Sequence, residues 1–200
     1  MRIFRPWSVA GSLYPEAIFR IKTREKNIVL TFDDGPDPDS TFSILNSLEK
    51  HNIKAIFFCT GVKAEKHPEL IEKIKERGHV IGNHGYSHLD GWKTPFQEYL
   101  DDVQKADHLT SAEIFRPPYG HFTYRQYASL RNKYKIYAWD LMPYDYDQDF
   151  GPEKSLGILK NRIRPGSVLV LHDKPESCAL KILDEFVQYA LSDGFRFVLE

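Results

Sequence analysis

The chain has 200 residues, 42% of them apolar, and its 27 basic and 28 acidic side chains leave a formal charge of −1. This is the composition of a soluble globular protein able to bury a substantial core in one domain. Without a net positive charge or a basic stripe interleaved with aromatics, it carries no electrostatic footprint for nucleic acid. Its two cysteines, Cys59 and Cys178, lie far apart and outside any CxxC, so neither a zinc knuckle nor a disulfide framework is indicated; Cys59 beside "IFF" reads as a buried apolar residue.

Residues 1–26 read as an N-terminal extension, with Arg2, Arg5, Arg20, Lys22, Arg24 and Lys26 against Glu16 and Glu25. Its apolar stretch "PWSVAGSLYPEAIF" is broken by two prolines and a glutamate, which fits neither a secretory h-region nor a membrane span. No export signal is visible, and a cytoplasmic location is the default expectation. From residue 27 onward, β-branched and aromatic runs predict strands at 28–32, 53–58, 79–81, 113–116, 135–139, 167–171 and 195–198. Helical periodicity occupies 40–50, 68–77, 95–109, 123–132, 152–163 and 177–192. Thr94-Pro95 with Gln97 reads as a capping box with proline at the first helical position, Gly151-Pro152 resembles it, and Gly78 and Gly194 mark helix ends.

Strand and helix alternate through short connections without a linker, which predicts parallel strands joined by right-handed crossovers. Periodicity leaves a doubly wound sheet and an incomplete (β/α) barrel both open. Either architecture gathers its site at the carboxyl ends of the strands. Polar groups stand at five of these ends: Asp33 and Asp34 in "TFDDGPDP", His84 and His88 in "GNHGYSH", Arg116 in "RPPYG", Asp145 in "WDLMPYDYD" and His172 in "LHD".

Adjacent strand residues point to opposite faces, so Asp33 and Asp34 need separate partners. The four-residue spacing of His84 and His88 lets two imidazoles converge on one ion, and an aspartate from a neighbouring strand end would complete a site with open coordination positions, the arrangement of a catalytic metal. The other aspartate could then take a proton from water acidified by the metal. Arg116 could orient that aspartate through paired hydrogen bonds, and His172 could donate a proton to a leaving amine.

With these residues assembled, the chain from about Asn27 onward resembles the polysaccharide deacetylases that share the domain of the nodulation chitooligosaccharide deacetylase, carbohydrate esterase family 4. Five motifs stand in the family's order: "TFDDGP", an HxxxH, "RPPYG", an aspartate-containing loop and "LVLH". The resemblance implies an α/β fold, a single-domain distorted (β/α)7 barrel over residues 27–200, and metal-dependent removal of an acetyl group from a carbohydrate partner, with N-acetyl hexosamine favoured. It implies Asp33 as general base, Asp34, His84 and His88 as ligands of a divalent metal, and Arg116 as the group orienting Asp33. The backbone N–H of Tyr119 would help stabilise the oxyanion, His172 would be the general acid, Asp145 would tune it, and Leu169 would line the pocket for the acetyl methyl. Zinc is the first choice of metal, with cobalt, nickel and iron open.

Three departures from the family pattern stand out. Gly85 replaces the serine or threonine that follows the first metal histidine, removing a hydroxyl that braces the loop. Met142 replaces an aspartate in the fourth motif, and Asp145-Tyr146 replaces its Asp-Trp pair. Many relatives act outside the cell, whereas no export signal is evident here. A small-amide hydrolase with the same metal site is the alternative function; a non-catalytic carbohydrate-binding protein and a non-haem iron oxygenase fit the residues less well. The oligomeric state is not legible in the sequence.

Overall fold

The computed structural model describes residues 2–6 and 8–199. Seven parallel strands, β1 (Asn27–Asp33), β2 (Ile56–Cys59), β3 (Val80–Asn83), β4 (Ile114–Phe115), β5 (Lys135–Ile136), β6 (Val168–His172) and β7 (Arg196–Phe197), form one curled sheet in the order β5-β4-β3-β2-β1-β6, with β7 alongside the start of β1. Around it pack α1 (Ser8–Leu13), α2 (Thr41–Lys50), α3 (Gly61–Lys66), α4 (Pro68–Glu76), α5 (Phe96–Thr110), α6 (Tyr124–Leu130), α7 (Pro152–Arg162) and α8 (Ala179–Ser192). The architecture is a distorted (β/α)7 barrel.

The two-residue period of the strands sorts their side chains. On β1, Ile28, Leu30 and Phe32 join the helix-facing cluster with Leu169 and Leu171 of β6, while Val29 joins Ile56, Phe58, Tyr137 and Val168 in the barrel interior. Helices seal the outer face at i, i+3 and i+4 spacings, as with Ile182, Leu183, Phe186, Val187 and Ala190 of α8, the four larger side chains each contributing roughly 1.5–3 kcal/mol on full burial. The register sets Asp33 opposite His172 across β1 and β6 and opposite Phe58 across β1 and β2. Two polar strand ends, those of β1 and β6, are thus neighbours before any loop is considered.

Between β5 and β6 the barrel is joined by isolated bridges instead of a continuous ladder. Ile18 bridges Tyr137, Arg20 bridges Ser167 and Leu141 bridges Leu169. Ile18 N–H donates to Ile136 O at 2.8 Å, Ala138 N–H donates to Ile18 O at 3.0 Å, and Ile21 N–H donates to Gly166 O at 2.9 Å. Further up the chain, Phe4 packs against Tyr144 and Phe150 at 5.5 and 5.7 Å, and Arg2 pairs with Asp147 at 2.6 Å. The described residues before 27 therefore lie along the barrel, and Arg2 and Phe4 brace the loop after β5.

Several sequence expectations shift. β4 and β5 have two residues each, shorter than expected, because only that stretch finds a partner in the curled sheet. Helix α3 gives no sequence signal, being six residues whose buried positions are only Gly61 and Ala64 and thus too short for a periodic pattern. At α5 the capping box is absent: Pro95 is itself the N-cap, and the Thr94 hydroxyl instead donates to Asp90 O at 2.8 Å. The reciprocal box belongs to Thr123 and Gln126 at the start of α6. Pro152 at the first position of α7 and the positive-φ glycines 78 and 194 after α4 and α8 stand as expected.

Asp173, directly after β6, is fully buried and accepts from Ser40 Oγ and Thr41 Oγ1, both at 2.6 Å, tying the start of α2 to the end of β6. Burial pushes its carboxyl up to about 6, against the pull of the two hydroxyls. The native state then binds more protons than the unfolded chain between about pH 4 and 6, so this contribution to stability is present below that window and lost as pH rises through it. Asp173→Asn is expected to flatten that part of the curve by on the order of 2–3 kcal/mol, read as the difference between wild-type and variant denaturant midpoints at pH 4 and pH 7.

Candidate active site

Arg116 reaches from the end of β4 into the barrel with 2% of its surface exposed. Its Nη1 donates to Asp33 Oδ1 and to Thr31 Oγ1, both at 2.6 Å, and its Nη2 donates to Ala138 O at 2.9 Å. The Thr31 hydroxyl in turn donates to Leu169 O at 2.7 Å, and the guanidinium lies over the Phe58 ring at 4.2 Å. Asp33 Oδ1 is thereby occupied, while Oδ2 points toward His84 Nε2 at 4.0 Å.

Asp34 leaves the strand. Its φ of 71° turns the chain sharply, so the two carboxylates are separated by a turn as well as by the pleat that the sequence predicted. His88 also has a positive φ, 57°, and backbone conformations that strained persist only where surrounding contacts hold them. The result is convergence: Asp34 Oδ1 lies 3.1 Å from His88 Nε2 and 3.6 Å from His84 Nε2, and one ligand atom from each of the three residues falls within 4.8 Å of the others. Burial disfavours the Asp34 carboxylate, but the two imidazoles outweigh it and hold its carboxyl far below the usual range. Lys174 Nζ engages the remaining oxygen at 3.0 Å.

His84 Nδ1 faces Arg116 O at 2.8 Å. A carbonyl only accepts, so Nδ1 carries the proton and the Nε2 lone pair is left for an ion. Two imidazole nitrogens and one carboxylate oxygen on strained, externally braced backbone fit a divalent cation of the zinc type with positions left open.

The loop that carries both histidines is fastened from outside. Asp102 of α5 accepts from Tyr86 N at 2.8 Å and Ser87 N at 2.9 Å, and Asn83 Oδ1 accepts from Gly85 N at 2.8 Å. Gly85 itself has φ +73°, and a Cβ there would stand 3.0 Å from Asp102 Oδ2. A serine or threonine at this position would be strained and crowded; a carboxylate from α5 braces the loop where the family pattern has a hydroxyl. Asp102 carried no local sequence signal, because its partners are about fifteen residues away.

His172 is 9% exposed and held at two points by Asp145: its Nδ1 meets Asp145 Oδ1 at 2.9 Å and its backbone N–H donates to Oδ2 at 2.8 Å. Ser177, which the sequence did not mark, donates to the same Oδ2 at 2.6 Å. Burial opposes the imidazolium, but the charge and hydrogen bond of Asp145, joined by Asp34 and Asp33, outweigh it and raise the pKa of His172 above its ordinary value. Tyr146 sets its ring edge-on to His172 at 4.7 Å, so the Asp-Tyr pair keeps an aromatic where the family pattern has tryptophan. Met142, the other departure in this loop, donates its backbone N–H to Phe4 O at 3.0 Å. Tyr119 lies 4.6 Å from the His88 ring, on a backbone with φ 59°.

Leu169 is not brought to the site. It is fully buried in the helix-facing cluster, paired in register with Leu30, on the face of β6 opposite His172. Val170, two residues before His172, shares its face, and the strand period alone could have pointed to it.

Residues 20–137 match the polysaccharide deacetylase family model. The chain is 35% identical over 182 residues to a peptidoglycan-N-acetylglucosamine deacetylase of Bacillus cereus, covering 86% of this chain and 66% of that protein, so it spans just under two thirds of that relative's length. A crystal structure of a peptidoglycan N-acetylglucosamine deacetylase in complex with 4-naphthalen-1-yl-N-oxidanyl-benzamide superposes with a TM-score of 0.88 at 31% identity, covering 96% of this chain and 94% of that one. A mutant of a carbohydrate esterase family 4 pseudoenzyme shares the fold at TM-score 0.83 and 22% identity, over 90% of this chain and 68% of that one.

Asp102→Ala should weaken divalent metal binding by roughly 10–100-fold, measured by competition with a chromogenic chelator. Wild-type affinity in this variant would show that the carboxylate does not brace the ligand loop.

Proposed function

The chain belongs to the polysaccharide deacetylase family, carbohydrate esterase family 4, and we propose that it hydrolyses the N-acetyl group of hexosamine units in an oligo- or polysaccharide, using a divalent metal held by Asp34, His84 and His88. The observation that carries this reading is the division of labour between neighbouring carboxylates. Asp33 is clamped by Arg116 through one oxygen and open at the other, whereas Asp34 is turned onto the two histidines. The relatives whose names specify N-acetylglucosamine in peptidoglycan support the choice of sugar. That a pseudoenzyme shares the fold means that the fold alone does not carry the activity; the intact base, ligand set and acid do.

A bound divalent cation would supply polarisation of the acetyl carbonyl and acidification of water. Asp33 Oδ2 takes the proton from the attacking water, and Arg116 fixes the direction in which that oxygen faces. The backbone N–H of Tyr119, presented by the 3-10 turn Pro118–Gly120, donates to the oxyanion as carbonyl carbon becomes tetrahedral. His172, held as imidazolium by Asp145, gives its Nε2 proton to the amine as the C–N bond breaks. Acetate and the free amino sugar leave, and the proton taken by Asp33 balances the one given by His172. The wall beside His172 is formed by Tyr146 and Val170, the latter in place of Leu169.

Asp33→Asn is expected to lower kcat on N-acetylglucosamine oligomers by roughly 10²–10⁴-fold while elemental analysis finds metal still bound; retained turnover would sink the base assignment. Chelation should abolish acetate release and added zinc, cobalt or nickel restore it. No acetate from a metal-loaded protein, with turnover of small amides instead, would establish the small-amide hydrolase. The acid form of His172 is lost as pH rises through its raised pKa, which sets the basic limb of the kcat profile. Asp145→Asn should move that limb to lower pH and cut kcat by on the order of 10²-fold; an unmoved limb would refute the role of Asp145.

A further inference from the structure

A line of rings runs outward from the candidate metal ligands. His88 and Tyr119 lie 4.6 Å apart, Tyr119 and His121 6.0 Å, and His121 stacks on Trp92 at 3.7 Å with only 10° between the planes. Trp92 is 63% exposed and Tyr119 60%. An indole that exposed would ordinarily swing freely, but this one is fixed at every handle. Its Nε1–H donates to Phe122 O at 3.2 Å, and its backbone N–H donates to Asp90 Oδ1 at 3.0 Å, the same oxygen that meets His121 Nδ1 at 3.1 Å.

The turn beneath it is equally constrained. Gly91 lies so close to the 121–126 segment that a Cβ would stand 2.4 Å from His121 O. Gln126 Nε2 donates to Gly91 O at 3.0 Å while its Oε1 accepts from Thr123 N at 2.7 Å, so the cap of α6 and the Trp92 turn are one unit.

We propose that Trp92, backed by His121, is a sugar-stacking platform that binds a second pyranose of the same glycan strand whose acetyl group reaches Asp33 and His172. One indole face is covered by imidazole, the only polar atom of the ring is already used, and the other face is rigid and open. Such a face has nothing to offer a hydrogen-bonding group. It complements a surface of axial C–H groups, the face that an equatorially substituted hexosamine ring presents. A protein partner would need a broader apolar patch, whereas the residues of the Trp92 turn itself, Asp90 and the 83% exposed Lys93, are charged and the exposed rings form a single line. Continuity through Tyr119 to His88 places the platform on the path of a polymer crossing the site. The inference rests on the deacetylase reading for the identity of the reacting group, and on geometry for the platform.

The test measures KM for N-acetylglucosamine oligomers of two to five units with the zinc-loaded wild type, Trp92→Ala and Trp92→Phe, alongside calorimetric binding of the pentamer to Asp33→Asn with and without Trp92→Ala. In the wild type KM should fall about tenfold from dimer to pentamer; Trp92→Ala should reduce that fall to about twofold or less, and Trp92→Phe should restore most of it. An unchanged length dependence in Trp92→Ala, or an equal rise in KM at every length, would overturn the platform. Trp92-dependent binding of the pentamer to Asp33→Asn, with no acetate released by the metal-loaded wild type, would uphold the platform and defeat the deacetylase reading. Acetate release with binding indifferent to Trp92 would do the reverse.

Discussion

Arg116 has to place a full charge in the middle of a barrel, where leaving it unpaired would be strongly destabilising. The barrel answers with Asp33, the Thr31 hydroxyl, the Ala138 carbonyl and the face of Phe58, drawn from β1, the segment after β5 and β2. Each partner limits the others. Nη1 is shared between Asp33 and Thr31, and the Thr31 hydroxyl is itself anchored on Leu169 O of β6, so the guanidinium that holds the carboxylate is tied to both strands. A buried pair of this kind is a poor source of net stability and a good source of orientation. It leaves one carboxylate oxygen with a single direction to face, which is what a proton acceptor beside a metal needs.

The other functional groups are held by the same logic at one remove, by carboxylates that do not face the reacting centre. Asp145 fixes His172 by ring and backbone together, Asp102 fixes the turn that carries His84 and His88, and Asp173 joins the end of β6 to α2. The groups they hold sit at or just beyond element ends, with His172 closing β6, Tyr86 and Ser87 following β3, and Ser40 and Thr41 opening α2, where unpaired N–H groups or hydroxyls are available to a carboxylate. The site therefore rests on the rigid ends of strands and helices, with loops supplying the strained residues Asp34, His88 and Tyr119.

The strand-end constellation was legible because its parts are local: an apolar run followed by Asp-Asp, two histidines four apart, an arginine before two prolines. What escaped was whatever depends on a distant partner. Asp102, Ser177 and Lys174 look like ordinary surface residues until the fold brings their partners to them. Thr94 offered a plausible capping signal but had a carbonyl at Asp90 within reach, and the true box at Thr123 was overlooked although its spacing is the same. Leu169 was misplaced for a different reason. As a string, "LVLH" assigns its leucines no face, whereas a strand sends alternate letters to opposite faces, and the same alternation that separates Asp33 from Asp34 selects Val170. At Asp34 the rule reached its limit, because the strand had ended.

The incomplete seam between β5 and β6 has a consequence for association between molecules. A parallel sheet that does not close presents two edges, each a row of backbone donors and acceptors ready to pair with another chain. Here Ile18 occupies the β5 edge and Ile21 the approach to β6, by main-chain hydrogen bonds that any sequence could supply, while Ile18 and Ile21 pack their side chains into the interior cluster. The segment thus serves as an in-built edge cover. A chain trimmed back beyond Ile21 would keep nearly all of the 20–137 stretch that identifies the family, and every residue of the candidate site, yet would uncover the β5 edge and the Gly166–Ser167 approach to β6. Its characteristic defect would be self-association before any loss of chemistry.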